Sequence, residues 1–115
     1  MQITRDELTK FKTRFPDAIP VIITKGKDVR FIWTGQYTTN TVKLGIPEHR
    51  TMSQLMIEIH KIIKQMNTKP TTDAIYLSCG GNMINCGSVT VGQVFSRYNK
   101  GGVLYMELNG ESAFG

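Results

Sequence analysis

Apolar positions along this chain follow two spacings, and each predicts a kind of element. Leu8, Phe11 and Phe15 lie three and four residues apart, which puts them on one stripe of a short helix. Thr4-x-x-Glu7 is a capping-box pattern at its start, and Pro16–Asp17 ends it, because the residue before a proline avoids helical backbone. Ile19–Thr24 is β-branched and reads as a strand; Pro20 lacks a donor and is expected near the strand's start or on an edge. Lys25–Asp28 reads as a turn, Val29–Trp33 as a short extended piece, and Gln36–Asn40 carries little signal. Val42, Leu44 and Ile46 alternate, predicting a strand that stops at Pro47.

Thr51–Met66 is the clearest helix. Thr51-x-x-Gln54 can cap it, and Met52, Leu55, Met56, Ile59, Ile62, Ile63 and Met66 share one face. Ala74–Ser78 reads as a strand, Gly80–Asn82 as a tight turn and Met83–Ile84 as a very short return strand. Thr90-x-x-Gln93 opens a shorter helix carrying Val91, Val94, Phe95 and Tyr98. After a Lys100–Gly102 turn, Val103–Leu108 is the last strand and Asn109–Gly115 a polar tail. Without its first helix this is the ubiquitin-type β-grasp order. The expected fold is therefore α+β: a four-stranded mixed sheet packed on the long helix, with an added N-terminal helix over residues 1–15 and a flexible tail over 109–115, all in one domain spanning 1–115.

Length and composition leave that picture intact. At 115 residues and 40% apolar content the chain suits one domain with a real core. No stretch approaches the roughly 20 apolar residues of a membrane helix, and Met1–Asp6 does not resemble a signal peptide, so cytosol or nucleus is expected, with Cys79 and Cys86 reduced. Charge does change the picture. The formal net charge is +5, and residues 1–64 carry eleven Lys and Arg against six Asp and Glu, while residues 65–115 carry three of each. A basic first half suits nucleic acid, an anionic membrane or an acidic peptide.

Particular residues narrow this choice. The segment Phe15–Ile22, with Pro16–Asp17 and Pro20–Val21–Ile22 in place, resembles the autophagy ubiquitin-like modifiers conjugated to phosphatidylethanolamine, the GABARAP and microtubule-associated light chain 3 type. Val103–Met106 followed by Gly110–Gly115 is similar to their final strand and tail, and Val91–Phe95 to their second helix. The resemblance covers roughly Glu7–Ile22 and Thr41–Gly115. It implies a modifier, not an enzyme, with no cofactor. Gly115 would be the conjugated residue, activated by E1-like and E2-like enzymes and exposed or released by a cysteine protease. The product would be a cytoplasmic protein that joins the autophagosome membrane when lipidated. Phosphatidylethanolamine brings two acyl chains, enough for stable anchoring.

The resemblance also implies docking of acidic aromatic-x-x-aliphatic motifs from autophagy receptors, by strand addition with two side-chain pockets. Carried over by position, the aromatic pocket involves Glu7, Phe11, Pro20, Ile22, Lys43 and Val103, and the aliphatic pocket Leu44, Ile46, Pro47 and Leu55. Lys43, with Lys12 and Arg14, would attract the acidic flanks. Four positions depart from the family pattern: Ala18 replaces an arginine, Gly45 a large aliphatic residue, and Arg50 and Glu58 leucines of the aliphatic pocket. A charge in an apolar pocket is costly, so the second pocket is expected to be shallow, altered or absent. Arg50–Thr51 and the short Asn99–Gly102 turn are closer to the related modifier attached to a protein lysine, which stands as an alternative.

Other chemistries find less support. Cys79 and Cys86 are seven residues apart without a nearby histidine, so no zinc site is expected. His49 and His60 stand outside any triad-like pattern. Lys10, Lys12, Arg14, Lys25, Lys27 and Arg30 with Phe31 and Trp33 could form a nucleic-acid patch, although charged faces are usually only solvated, and nucleic acid is not the expected partner.

Overall fold

The structure is a computed structural model that describes residues 4–26, 41–66, 74–84 and 87–111. The expected extended piece Val29–Trp33, half of the basic-aromatic patch (Lys27, Arg30, Phe31 and Trp33), Cys86 and the tail residues 112–115 lie outside them.

Among the described residues, three helices and five strands follow in the order α1 (Arg5–Arg14), β1 (Ala18–Lys25), β2 (Thr41–Pro47), α2 (Met52–Met66), β3 (Ala74–Cys79), β4 (Asn82–Ile84), α3 (Val91–Tyr98) and β5 (Leu104–Glu111). The strands make one sheet in the order β2-β1-β5-β3-β4. The central pair β1 and β5 is parallel, with Val21 opposite Leu104, and the other pairs are antiparallel. This is the β-grasp arrangement. The sheet is one strand wider than the four expected, because the return segment Asn82–Ile84 pairs with Leu77–Cys79. The turn between them needs Gly80 and Gly81, whose φ angles of +57° and +84° disfavour residues with a side chain.

Strand alternation divides the sheet into two faces. Ile19, Val21 and Ile23 of β1, with Leu104, Met106 and Leu108 of β5, join Met52, Leu55, Met56, Ile59 and Ile63 of α2 in the main core. Each such fully buried aliphatic side chain contributes roughly 1.5–3 kcal/mol. Pro20, Ile22, Lys43 and Gly45 point to the opposite face, where α1 lies. α1 has no fully buried residue and approaches the sheet through Leu8 and Phe11.

The expected helix starts hold. Thr51 and Gln54 exchange both capping bonds (2.9 and 3.2 Å), and so do Thr90 and Gln93 (2.8 and 3.1 Å). One boundary is corrected. β5 continues to Glu111, past the expected tail start at Asn109, because Asn109, Gly110 and Glu111 pair with Tyr76, Ile75 and Ala74.

Candidate peptide-docking groove

The groove forms where the α1 stripe faces β1 and β2. Phe11 and Phe15 lie four residues apart on one side of α1, with ring centroids 5.4 Å apart. Their opposite walls are Pro20, Val21 and Ile22 of β1 and Lys43, Leu44 and Gly45 of β2. Together with Glu7, Lys10 and Arg14 they enclose about 480 Å³.

Gly45 explains how α1 sits so close. A Cβ built there would lie 2.8 Å from Phe11 Cζ and 3.5 Å from Ala18 Cβ. Gly45 is not among the glycines with positive φ, so space, not backbone conformation, favours glycine here. Gly45 thus leaves a slot for the edge of the Phe11 ring.

The groove mouth is charged. Lys43 Nζ donates to Glu7 Oε2 at 2.9 Å. The other Glu7 oxygen accepts from the Thr4 hydroxyl at 3.2 Å, while Thr4 caps α1 by accepting from the Glu7 amide. The bond to Lys43, then that to Thr4, lowers the pKa of the Glu7 carboxyl from its ordinary value. Three cations, Lys10, Arg14 and Lys43, border the groove against one carboxylate. The Arg14 guanidinium lies 5.4 Å from the Phe15 ring centroid.

Backbone geometry adds a second recognition element. β2 is the outermost described strand on its side of the sheet. Gly26 donates its amide to the Leu108 carbonyl at 2.7 Å, so the even-numbered residues of β1 direct their backbone groups at β5. Ile19, Val21 and Ile23 therefore bond to their partners Ile46, Leu44 and Val42. The backbone groups of Thr41, Lys43 and Gly45 face away from β1, a ladder beside the groove that no other described strand pairs with. Pro20 fits the same phase: its missing amide would have pointed toward β5 just before the β1–β5 ladder begins at Val21.

Of the residues expected in the aromatic pocket, Glu7, Phe11, Pro20, Ile22 and Lys43 come together, and Leu44 joins them. Val103 does not. It is 1% exposed and sits beneath α1, near Leu8 and Tyr105. The residues assigned to the aliphatic pocket do not gather into one lining, in line with the expectation that this pocket is shallow, altered or absent. Leu55 is 0% and Ile46 9% exposed, both in the main core, because the stripe that makes α2 amphipathic aims them inward. Pro47 is half-buried at the end of β2 and outside the groove, and Glu58 is 3.8 Å from Lys61 on the surface of α2. Lys10, Arg14, Phe15, Val21 and Gly45 complete the groove without having been assigned to a pocket. The Phe11–Phe15 spacing was the available signal for Phe15.

A family model described as "Autophagy protein Atg8 ubiquitin like" matches residues 4–115. The chain belongs to the Atg8 family. It is accordingly a ubiquitin-like autophagy protein. Among relatives of this Atg8-family chain is human microtubule-associated protein 1 light chain 3 gamma, 23% identical over 116 residues, which span all of this chain and 74% of the relative. The crystal structure of Trypanosoma brucei ATG8 matches with a TM-score of 0.69 at 21% identity, covering 99% of this chain and 100% of that one. That likeness supports the fold.

Proposed function

We propose that this Atg8-family chain is a conjugated modifier, not an enzyme, that carries an acidic-peptide docking groove to a membrane. The observation supporting docking is the alignment of the open Lys43–Gly45 backbone edge with the apolar, cation-bordered groove. An extended peptide added to β2 gains main-chain bonds from that edge and buries side chains against Phe11, Pro20 and Ile22. Lys10, Arg14 and Lys43 favour acidic flanks and speed their encounter. Autophagy receptors with such motifs are the partners this reading assigns.

Conjugation uses Gly115. An E1-like enzyme with ATP would activate its carboxyl group and pass it as a thioester to an E2-like enzyme. The amine of phosphatidylethanolamine then attacks the thioester carbonyl, forming an amide and releasing the thiol. Glycine leaves that carbonyl open to attack. A cysteine protease would process or release the tail. The sheet's direction supports compatibility between the two roles. Ile22, in the groove, lies opposite Tyr105, and β5 runs six residues beyond Tyr105 to Glu111, about 20 Å, away from the groove. A lipid joined beyond that point leaves the docking edge accessible. The protein would be cytoplasmic until lipidated and then reside on the autophagosome membrane.

Reconstitution with E1-like and E2-like enzymes, ATP and phosphatidylethanolamine liposomes tests this reading by mass shift. The expected product carries one lipid, and Gly115→Ala abolishes or severely impairs it. Undiminished lipidation of Gly115→Ala overturns the tail assignment, and transfer to a protein lysine with none to lipid favours the protein-linked alternative.

A further inference from the structure

Helix α1 has a second flank that the docking groove does not use. Glu7, Phe11 and Arg14 border the groove, whereas Arg5, Leu8 and Lys12 lie three and four residues apart on a different stripe. Along this other flank Thr4, Arg5 and Leu8 border a cavity of about 370 Å³, with Lys100, Val103 and Tyr105 across from them. Val103 is buried and Tyr105 half-buried, so with Leu8 they give the cavity an apolar side. The Lys100–Val103 turn is closed by two backbone bonds, with the Lys100 amide donating to the Val103 carbonyl at 2.8 Å and the Val103 amide donating back at 3.2 Å. Lys12 reaches the same turn: a Cβ built on Gly102 would lie 3.1 Å from its Nζ.

The charge here is one-sided. No carboxylate lines the cavity. The ion pairs among the described residues are Lys43–Glu7 and Lys61–Glu58, so Arg5, Lys12 and Lys100 have no carboxylate partner there. Glu7, which accepts from the Thr4 hydroxyl, is offset by Lys43. Arginine binds phosphate through paired N–H donors and lysine as a point charge. Arg5 and Lys12 are seven residues apart, about 10 Å along the helix, with Lys100 on the facing turn. That spread suits several phosphates on one small body better than a single anion. The cavity also lies beside the start of β5, which runs from Leu104 to Glu111, about 23 Å, before the tail begins. A bilayer joined through Gly115 is therefore at the other end of the strand, which favours a ligand from solution.

We propose that this cavity is a second binding site, for a small soluble polyphosphate of the inositol phosphate type. Arg5, Lys12 and Lys100 meet its phosphates, and Leu8 and Tyr105 pack on the C–H face of its ring. The site is independent of peptide docking; only the choice of a soluble source rests on the conjugation reading above.

Isothermal titration of the full chain with inositol hexakisphosphate at 0.15 M salt tests the proposal. One molecule is expected to bind, and Arg5→Gln and Lys100→Gln each to weaken it at least about fivefold. Lys64→Gln, the same charge change on α2, should alter it less than about twofold, because distant exposed charges are screened. All three positions are exposed, so the variants should fold, with circular dichroism as the check. Inorganic phosphate should bind at least about tenfold more weakly than the hexakisphosphate, and Lys100→Gln should leave acidic-peptide affinity within about twofold. No binding, or equal losses in all three variants, overturns the site. Inorganic phosphate binding as tightly as the hexakisphosphate overturns the polyphosphate class. A parallel loss of acidic-peptide affinity in Lys100→Gln overturns a site separate from docking. Vesicles carrying phosphatidylinositol bisphosphate binding at least about tenfold more tightly than the hexakisphosphate overturn the soluble source.

Discussion

Replacing Gly45 with valine should have opposite effects in two backgrounds. Glycine inside a strand costs roughly 0.5–1 kcal/mol relative to a residue with a side chain, so valine should stabilise β2 if space were available. In the native chain space is lacking, since even the Cβ would meet Phe11 Cζ at 2.8 Å. The ring can leave by swinging outward, because it is only half-buried, but it then loses its contact with the sheet. Half the burial of a phenylalanine is worth about 1–1.5 kcal/mol, and residual crowding adds to this, so Gly45→Val should destabilise by about 0.5–1 kcal/mol net. Phe11→Ala alone should cost about 1.5–2 kcal/mol, roughly half of a fully buried truncation. In that background the valine fills vacated space, and Gly45→Val should stabilise by about 0.5–1 kcal/mol. Urea unfolding of the four proteins measures the coupling, expected at roughly 1–2 kcal/mol. If Gly45→Val has the same effect in both backgrounds within about 0.5 kcal/mol, the slot does not operate as described.

Lys43→Glu should weaken an acidic peptide more at low than at high salt, since exposed charges are screened beyond about 10 Å at 0.1 M; isothermal titration across a salt series checks this, and a salt-independent loss argues against steering. Leu55→Ala should lower unfolding stability by about 2.7–5 kcal/mol, as a core truncation, yet change peptide affinity less than about twofold wherever the protein remains folded. Burial pushes the Cys79 thiol up to about 11, so alkylation at pH 8, mapped by mass spectrometry, should label it only on unfolding; rapid labelling of the folded protein contradicts its burial.

Elements were more legible in the sequence than surfaces were. Apolar period and capping residues located α2 and α3 because each signal is local: Thr51 and Gln54, or Thr90 and Gln93, bond within one turn. A β-branched run located β1 and alternation located β2. Asn109–Gly115 reads as a polar tail, yet Asn109 and Gly110 belong to β5, because pairing with β3 outweighs local preference. The groove was half legible. Glu7, Phe11, Pro20, Ile22 and Lys43 were expected to meet, and do. The fit of Phe11 into the absence left by Gly45 joins residues far apart in sequence, and no periodicity encodes it. Leu55 and Ile46 illustrate the converse: position in the family pattern suggested pocket walls, whereas their own amphipathic phase pointed to the core.

Amide hydrogen exchange with and without a saturating acidic peptide tests the central claim most directly. The amides of Lys43 and Gly45 face outward and bond to no neighbour on β1, whereas those of Leu44 and Ile46 are already held in the ladder. Strand addition predicts that peptide slows exchange at Lys43 and Gly45 strongly, with little change at Leu44 and Ile46. Saturation of the protein with both outward amides still exchanging at their free rate contradicts docking on β2.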